Sequence, residues 1–318
     1  MKIVALDGYT LNPGDNAWDE IEKLGDLTVY ERTPVEQTVE RAQGAQVLLV
    51  NKAPLSAETL AQLPDLRFVS VTATGYNVVD VEAARKHDVA VSNIPVYGTD
   101  SVAQYAMALL LDMCNRPALH DAAVRQGGWQ RSGNFSFWEA PLIELAGKTM
   151  GLVGFGRIGQ RVGELAHAFG MEVWAYTPSS RPAPGYQPFA FKGIEEIFAG
   201  ADVVSLHCPQ TPDNEGFVNA GLLGQMKAGS MFINTSRGGL VDEQALLEAL
   251  RAGRPAAAAT DVASTEPIQW DNPLLKAPNL LITPHMAWAT VEARQRLMQM
   301  TAENVRAFQQ GAPINVVN

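Results

Sequence analysis

The stretch Gly151-Leu152-Val153-Gly154-Phe155-Gly156-Arg157-Ile158-Gly159 decides how the rest of this chain is read. An apolar run over 149–153 leads into it, and an amphipathic helical pattern leaves it over 157–169. A strand, a glycine turn and a helix in that order are what a dinucleotide needs. Gly154 permits the tight turn, Gly156 admits a pyrophosphate close to the backbone, and Gly159 lets helix and strand pack closely. The helix start then offers N–H groups and partial positive charge to the phosphates. Arg157 and Ile158, inside the motif, and Thr99 join this candidate cofactor set.

The next strand, over 171–176, speaks to which dinucleotide. A site for NAD usually ends that strand with Asp or Glu, which binds the ribose 2′-hydroxyl. Here the tip is Thr177, followed by Pro178, Ser179, Ser180 and Arg181, and Glu172 sits too early. Hydroxyls and an arginine suit a 2′-phosphate, which a carboxylate would repel. The expectation is NADPH preferred, with NADH use possible.

Outward from the motif, short apolar runs alternate with helical patterns. Strands are expected at 3–6, 47–50 and 68–71, each followed by a helix near 16–24, 56–63 and 78–87. The grammar restarts at 149–153 and continues at 172–176, 203–206, 231–234, 257–261 and 280–283. Such alternation implies parallel sheets covered by helices, hence α/β. Pro95 and Gly98 precede a long helix over 100–115, with Thr99 and Asp100 as cap candidates, and a last helix runs over 291–310. A closing helix that returns to the first unit gives two doubly wound parallel-sheet domains. A Rossmann nucleotide domain, 99–287, is inserted into a discontinuous flavodoxin-like substrate domain, 1–98 plus 288–318. Two domains in series are the alternative. Residues 127–141 carry four aromatics with little periodicity, which suggests an interface arm over a loop tucked on its own domain.

Bulk properties narrow the classes. The 318 residues favour two domains, and 47% are hydrophobic. A net charge of −10 without any basic run argues against nucleic-acid binding. The N-terminus turns acidic too soon for a signal peptide, and no apolar stretch is long enough to span a bilayer. With only Cys114 and Cys208, a reducing cytoplasm is expected. No Cys/His or paired-His spacing suggests a metal.

Reducing a 2-keto acid needs a cation for the carboxylate, an acid for the ketone oxygen and a partner for that acid. Arg237, Glu266 and His285 each follow an expected strand, where open α/β sheets bind ligands. A guanidinium suits a bidentate carboxylate, and a carboxylate beside an imidazole favours its charged form. Asp261, ending another strand, is placed to accept from the nicotinamide carboxamide. His207, Cys208 and Pro209 border the cofactor, as do Thr235 and Ser236; His207 reads as a positioning residue and Cys208 as packing. His87, His120 and His167 receive no role.

At this point the chain resembles the D-2-hydroxyacid dehydrogenases over almost its whole length. The resemblance rests on Gly154–Gly159, Leu206-His207-Cys208-Pro209, Ile233-Asn234-Thr235-Ser236-Arg237-Gly238-Gly239, Asp261 with Glu266-Pro267, and Thr283-Pro284-His285. Phe135-Ser136-Phe137-Trp138, Pro141-Leu142-Ile143-Glu144-Leu145 and Ala287-Trp288-Ala289-Thr290 point to its glycerate dehydrogenase/hydroxypyruvate reductase branch. The resemblance implies a homodimer with the active site in a cleft between the domains. It implies that Arg237 binds substrate, His285 is the acid/base, Glu266 pairs with it, and the backbone of Thr74-Gly75-Tyr76 grips the carboxylate. Hydroxypyruvate or glyoxylate is the expected substrate, with Trp138 of a partner's arm and Trp288 restricting the pocket. Thr177 departs from the Asp of many relatives, and no regulatory tail is expected. A bulkier 2-keto acid is one alternative. A cofactor-sensing corepressor is the other.

Overall fold

The computed structural model describes all residues, 1–318. They divide into one unit of Met1–Gly98 with Ala289–Asn318 and another of Thr99–Trp288.

In the first unit β1 (Lys2–Ala5), β2 (Asp26–Val29), β3 (Val47–Val50), β4 (Phe68–Val71) and β5 (Ala90–Ser92) form one sheet, in the order β2-β1-β3-β4-β5. Every pairing is parallel. This is the flavodoxin-like order. Strands β3 and β4 are buried at every residue, because helices cover both faces of a parallel sheet. The closing helix, Val291–Gln309, belongs here: Phe308 stacks on Phe68 of β4 at 4.6 Å. Thr290 caps that helix by accepting from the Ala293 N–H. Beyond it, the Val317 N–H donates to the Val91 carbonyl at 2.8 Å, so the chain end lies along the β5 edge. Just past β1, the buried Asp7 carboxylate receives the N–H groups of Asn51, Lys52 and Ala53. Burial pushes its carboxyl above the usual range while those donors pull it back.

The second unit contains β6 (Thr149–Val153), β7 (Glu172–Tyr176), β8 (Phe189–Phe191), β9 (Val203–Leu206), β10 (Met231–Asn234), β11 (Ala257–Thr260) and β12 (Leu280–Ile282). Their order is β12-β11-β10-β9-β6-β7-β8, parallel throughout. The order reverses between β6 and β9, and open α/β sheets bind ligands at such a switch point. The long helix Thr99–Asn115 buries Ala103, Ala106, Met107 and Leu110 against the same core as Val162 and Ala166 of helix Arg157–Ala168. Residues 127–141 are not wholly irregular, for Gly128–Ser132 form one short helix. His120, on helix Pro117–Arg125, ties that segment down by accepting from the Glu139 N–H at 3.1 Å. No helix is long and apolar enough to cross a membrane.

Candidate active site

The turn after β6 is built by its glycines. Gly154 has φ +103°, and a Cβ there would lie 2.5 Å from the His207 carbonyl carbon. The tip of β6 therefore presses on the backbone leaving β9, closing the switch point. A Cβ on Gly159 would fall 2.1 Å from the Gly154 oxygen, so helix and turn touch only because it is absent. Gly156 has nothing within 4 Å of its missing Cβ and is the helix N-cap without a side-chain cap bond. That opening leaves the first N–H groups of the helix reachable by an anion.

Two buried polar atoms just past the tips of β9 and β10 lack partners. His207 Nε2 pairs with Ser205 Oγ at 2.9 Å, while its Nδ1 is buried and unbonded. Burial pushes this imidazole down to about 4, so it is neutral near pH 7. Thr235 Oγ1, past the tip of β10, is also buried and unbonded. Unsatisfied buried groups are rare in native proteins, and two at the tips of neighbouring strands β9 and β10 fit a polar ligand such as a dinucleotide. Ser236 is less open, since its hydroxyl donates to the Leu206 carbonyl at 2.8 Å. The Cys208 thiol is raised by burial, consistent with packing. Pro209 offers its carbonyl to the Asn214 amide at 2.9 Å. At the tip of β7, Thr177, Ser179, Ser180 and Arg181 line a cavity of about 210 Å³.

The three polar candidates lie on loops that other residues shape. The Asn234 amide donates to the Arg237 carbonyl at 2.9 Å and its oxygen accepts from the Ser236 N–H at 3.0 Å, fixing the turn that presents Arg237. The Arg237 guanidinium donates to the Ser236 carbonyl at 2.7 Å. Gly238 follows because nothing larger fits: a Cβ there would sit 1.9 Å from the Ala263 carbonyl carbon. The Arg237 turn thus rests directly on the segment that leads to Glu266. Glu266 Oε1 takes the Ala263 N–H at 3.3 Å, and its Oε2 lies 2.7 Å from His285 Nδ1. The carboxylate accepts, so Nδ1 carries the hydrogen and Nε2 is the nitrogen left to exchange a proton. Both side chains are part-exposed, 26% for His285 and 31% for Glu266.

His285 itself sits at φ +53°, a left-handed conformation that costs a non-glycine residue about 1–2 kcal/mol. Asp261, 1% exposed, holds it there. The Asp261 carbonyl accepts the His285 N–H at 2.7 Å. Its carboxylate takes the Thr283 hydroxyl at 2.6 Å, the Met286 N–H at 2.9 Å and the Ala287 N–H at 2.7 Å. The sequence suggested a nicotinamide contact for Asp261; the geometry adds a clamp on the histidine loop that spacing alone did not reveal.

Other candidates lie as follows. Thr74, Gly75 and Tyr76 follow β4 in the first unit, where the Thr74 hydroxyl donates to the Ile94 carbonyl at 2.9 Å and Tyr76 is exposed. Trp138 and Phe135 are largely solvent-facing, and Trp288 is half-buried. Thr99 opens its long helix. No three His, Cys, Asp or Glu side chains gather as a metal site.

A glycine cradle at the switch point of a parallel sheet, beside an arginine and a glutamate–histidine pair, defines a dinucleotide-dependent oxidoreductase. Residues 107–287 match the family described as D-isomer specific 2-hydroxyacid dehydrogenase, NAD binding domain. The chain is 47% identical to a hydroxypyruvate reductase of Blautia hydrogenotrophica over 321 residues, covering 100% of each. It is 39% identical to a glycerate dehydrogenase of Methylorubrum extorquens, covering 99% of this chain and 98% of the relative. Among solved structures it superposes with a TM-score of 0.87 on an acyclic imino acid reductase in complex with NADPH and D-Arg, at 30% identity and 100% coverage of both. The chain belongs to the D-isomer-specific 2-hydroxyacid dehydrogenases.

Proposed function

We propose that this enzyme reduces a small 2-keto acid, hydroxypyruvate or glyoxylate, to the 2-hydroxy acid, of D configuration where the product is chiral. The observation that carries the reading is the 2.7 Å contact between His285 Nδ1 and Glu266. The names of the two relatives, a hydroxypyruvate reductase and a glycerate dehydrogenase, support this substrate class.

In the mechanism, the Arg237 guanidinium binds the substrate carboxylate and polarises the ketone. Glu266 holds His285 with Nε2 presented, and Nε2 gives its proton to the ketone oxygen. When bound, a nicotinamide dinucleotide would supply the hydride for the reduction. Gly154, Gly156 and Gly159, with Arg157 and Ile158 at the helix start, would hold its pyrophosphate. Thr99, His207, Cys208, Pro209, Thr235, Ser236 and Asp261 would border the remainder. The loop Thr74-Gly75-Tyr76 is assigned to the substrate carboxylate, and Trp138 and Trp288 to limiting substrate size. NADPH is the preferred cofactor because the β7 tip offers Thr177, Ser179, Ser180 and Arg181 and no carboxylate. A homodimer, joined through the aromatic segment 127–141, and a cytoplasmic location complete the reading.

Initial rates with NADPH and NADH against hydroxypyruvate, glyoxylate, pyruvate and phenylpyruvate test it. The expected result is fastest turnover of hydroxypyruvate or glyoxylate with NADPH. Equal catalytic efficiency with both cofactors would remove the preference. Phenylpyruvate as the best substrate would remove the small-substrate assignment.

A further inference from the structure

The cavity beside the β7 tip has a wall that the β7 sequence does not supply. Strand β8 pairs with β7 in parallel, with Phe191 opposite Ala175. Lys192, one residue past β8, donates its N–H to the Ala175 carbonyl at 3.0 Å. Two neighbouring strand tips therefore face one space, and Phe191 and Lys192 line it together with Thr177, Ser179, Ser180 and Arg181.

Lys192 is held with some care. Its ammonium lies 5.3 Å from the centre of the Trp174 ring and 3.0 Å from Glu196 Oε1. The other Glu196 oxygen, Oε2, takes the Gly193 N–H at 2.8 Å, so the carboxylate has a backbone anchor of its own. Lys192 is 33% exposed and Glu196 57%. An ion pair this exposed contributes little to stability and exchanges readily for a stronger anion. A phosphate monoester carries about −1.5 to −2 charges near pH 7 and three acceptor oxygens. It outcompetes a single carboxylate for the ammonium, and Glu196 keeps its backbone partner when displaced.

We infer that Lys192 is a cofactor-specificity residue, gripping the 2′-phosphate of NADPH from the β8 side while Arg181 and the hydroxyls act from the β7 side, with Glu196 as the counter-ion that phosphate displaces. The inference rests on the NADPH preference proposed above. It adds a second cation just past β8 and a built-in competitor on the helix Ile194–Gly200, both outside the usual fingerprint.

The test is calorimetric titration of the folded enzyme with 2′,5′-ADP and with 5′-AMP, which differ at the 2′-position and need no turnover. Wild type should bind 2′,5′-ADP more tightly. Lys192→Gln should lose about tenfold for 2′,5′-ADP, as expected for one charge-assisted contact in a partly exposed site, and be unchanged for 5′-AMP. Lys192→Arg should retain most of the affinity, and Glu196→Gln should gain a few-fold. If wild type binds both ligands equally, the NADPH preference falls and this inference with it. If wild type discriminates and Arg181→Ala loses discrimination while Lys192→Gln does not, the preference stands and the role of Lys192 is overturned. Loss of affinity in Glu196→Gln would overturn the competitor role.

Discussion

Replacing Asp261 with Asn removes one charge and one acceptor from the support of the His285 loop. In wild type the two carboxylate oxygens receive three hydrogens, from Thr283, Met286 and Ala287. An amide in the same place keeps one acceptor oxygen and turns an NH2 toward a group that also donates. At least one bond is lost, and a buried backbone N–H is left facing a donor. Bonds to a charged group contribute about 1.5–3 kcal/mol, so the net cost should be about 2–4 kcal/mol. For a unit of this size that corresponds to a fall in Tm of roughly 5–15 °C. Catalysis should suffer as well, because the carboxylate holds the Met286 and Ala287 N–H groups that directly follow His285. Misplacing a catalytic group by about 1 Å costs on the order of 100-fold, so kcat should drop roughly 10- to 100-fold. Thermal unfolding without cofactor, together with steady-state kinetics, separates the two possible roles of Asp261. An Asn variant with unchanged Tm but weakened cofactor binding would refute the clamp and leave the nicotinamide contact as its role.

Two further outcomes are expected. The folded His207 ring, pushed down to about 4, stays neutral where an unfolded histidine near 6.5 takes up a proton. The unfolded state therefore binds more protons between those values. Stability complete above pH 6.5 is lost as pH falls toward 4, by roughly 2–3 kcal/mol. Urea unfolding of wild type and His207→Asn at pH 7 and pH 4.5 checks this, and an equal pH dependence in the two would contradict it. Trp138→Ala should raise kcat/KM for phenylpyruvate relative to hydroxypyruvate, since Trp138 is assigned to limiting substrate size; an unchanged substrate profile counts against that role.

The sequence was most readable where strands are buried on both faces. Val47–Val50, Phe68–Val71, Val203–Leu206 and Met231–Asn234 are short, apolar and followed by helical periodicity, and each is a strand of the structure. Three strands escaped notice: Asp26–Val29, Ala90–Ser92 and Phe189–Phe191. All three are sheet edges. An edge strand needs less apolar surface and is kept short or polar, so its pattern fades into the loops. Missing Phe189–Phe191 also hid Lys192, whose place beside Arg181 depends on that strand pairing with Glu172–Tyr176.

Within the site, residue type and strand-end position pointed to Arg237, Glu266 and His285, and the structure puts the last two in contact. Their support was not legible. The left-handed backbone of His285, the carboxylate of Asp261 turned to three donors, and the contact forbidding a side chain at Gly238 are tertiary facts without a local signature.

The most direct measurement of the central claim is single-turnover reduction of hydroxypyruvate by enzyme saturated with NADPH, comparing wild type with His285→Ala. If His285 is the acid, the variant should bind NADPH as wild type does and lose about 10²- to 10⁴-fold in the chemical step. A variant that binds NADPH normally and reduces hydroxypyruvate within a few-fold of the wild-type rate would show that the proton comes from another group.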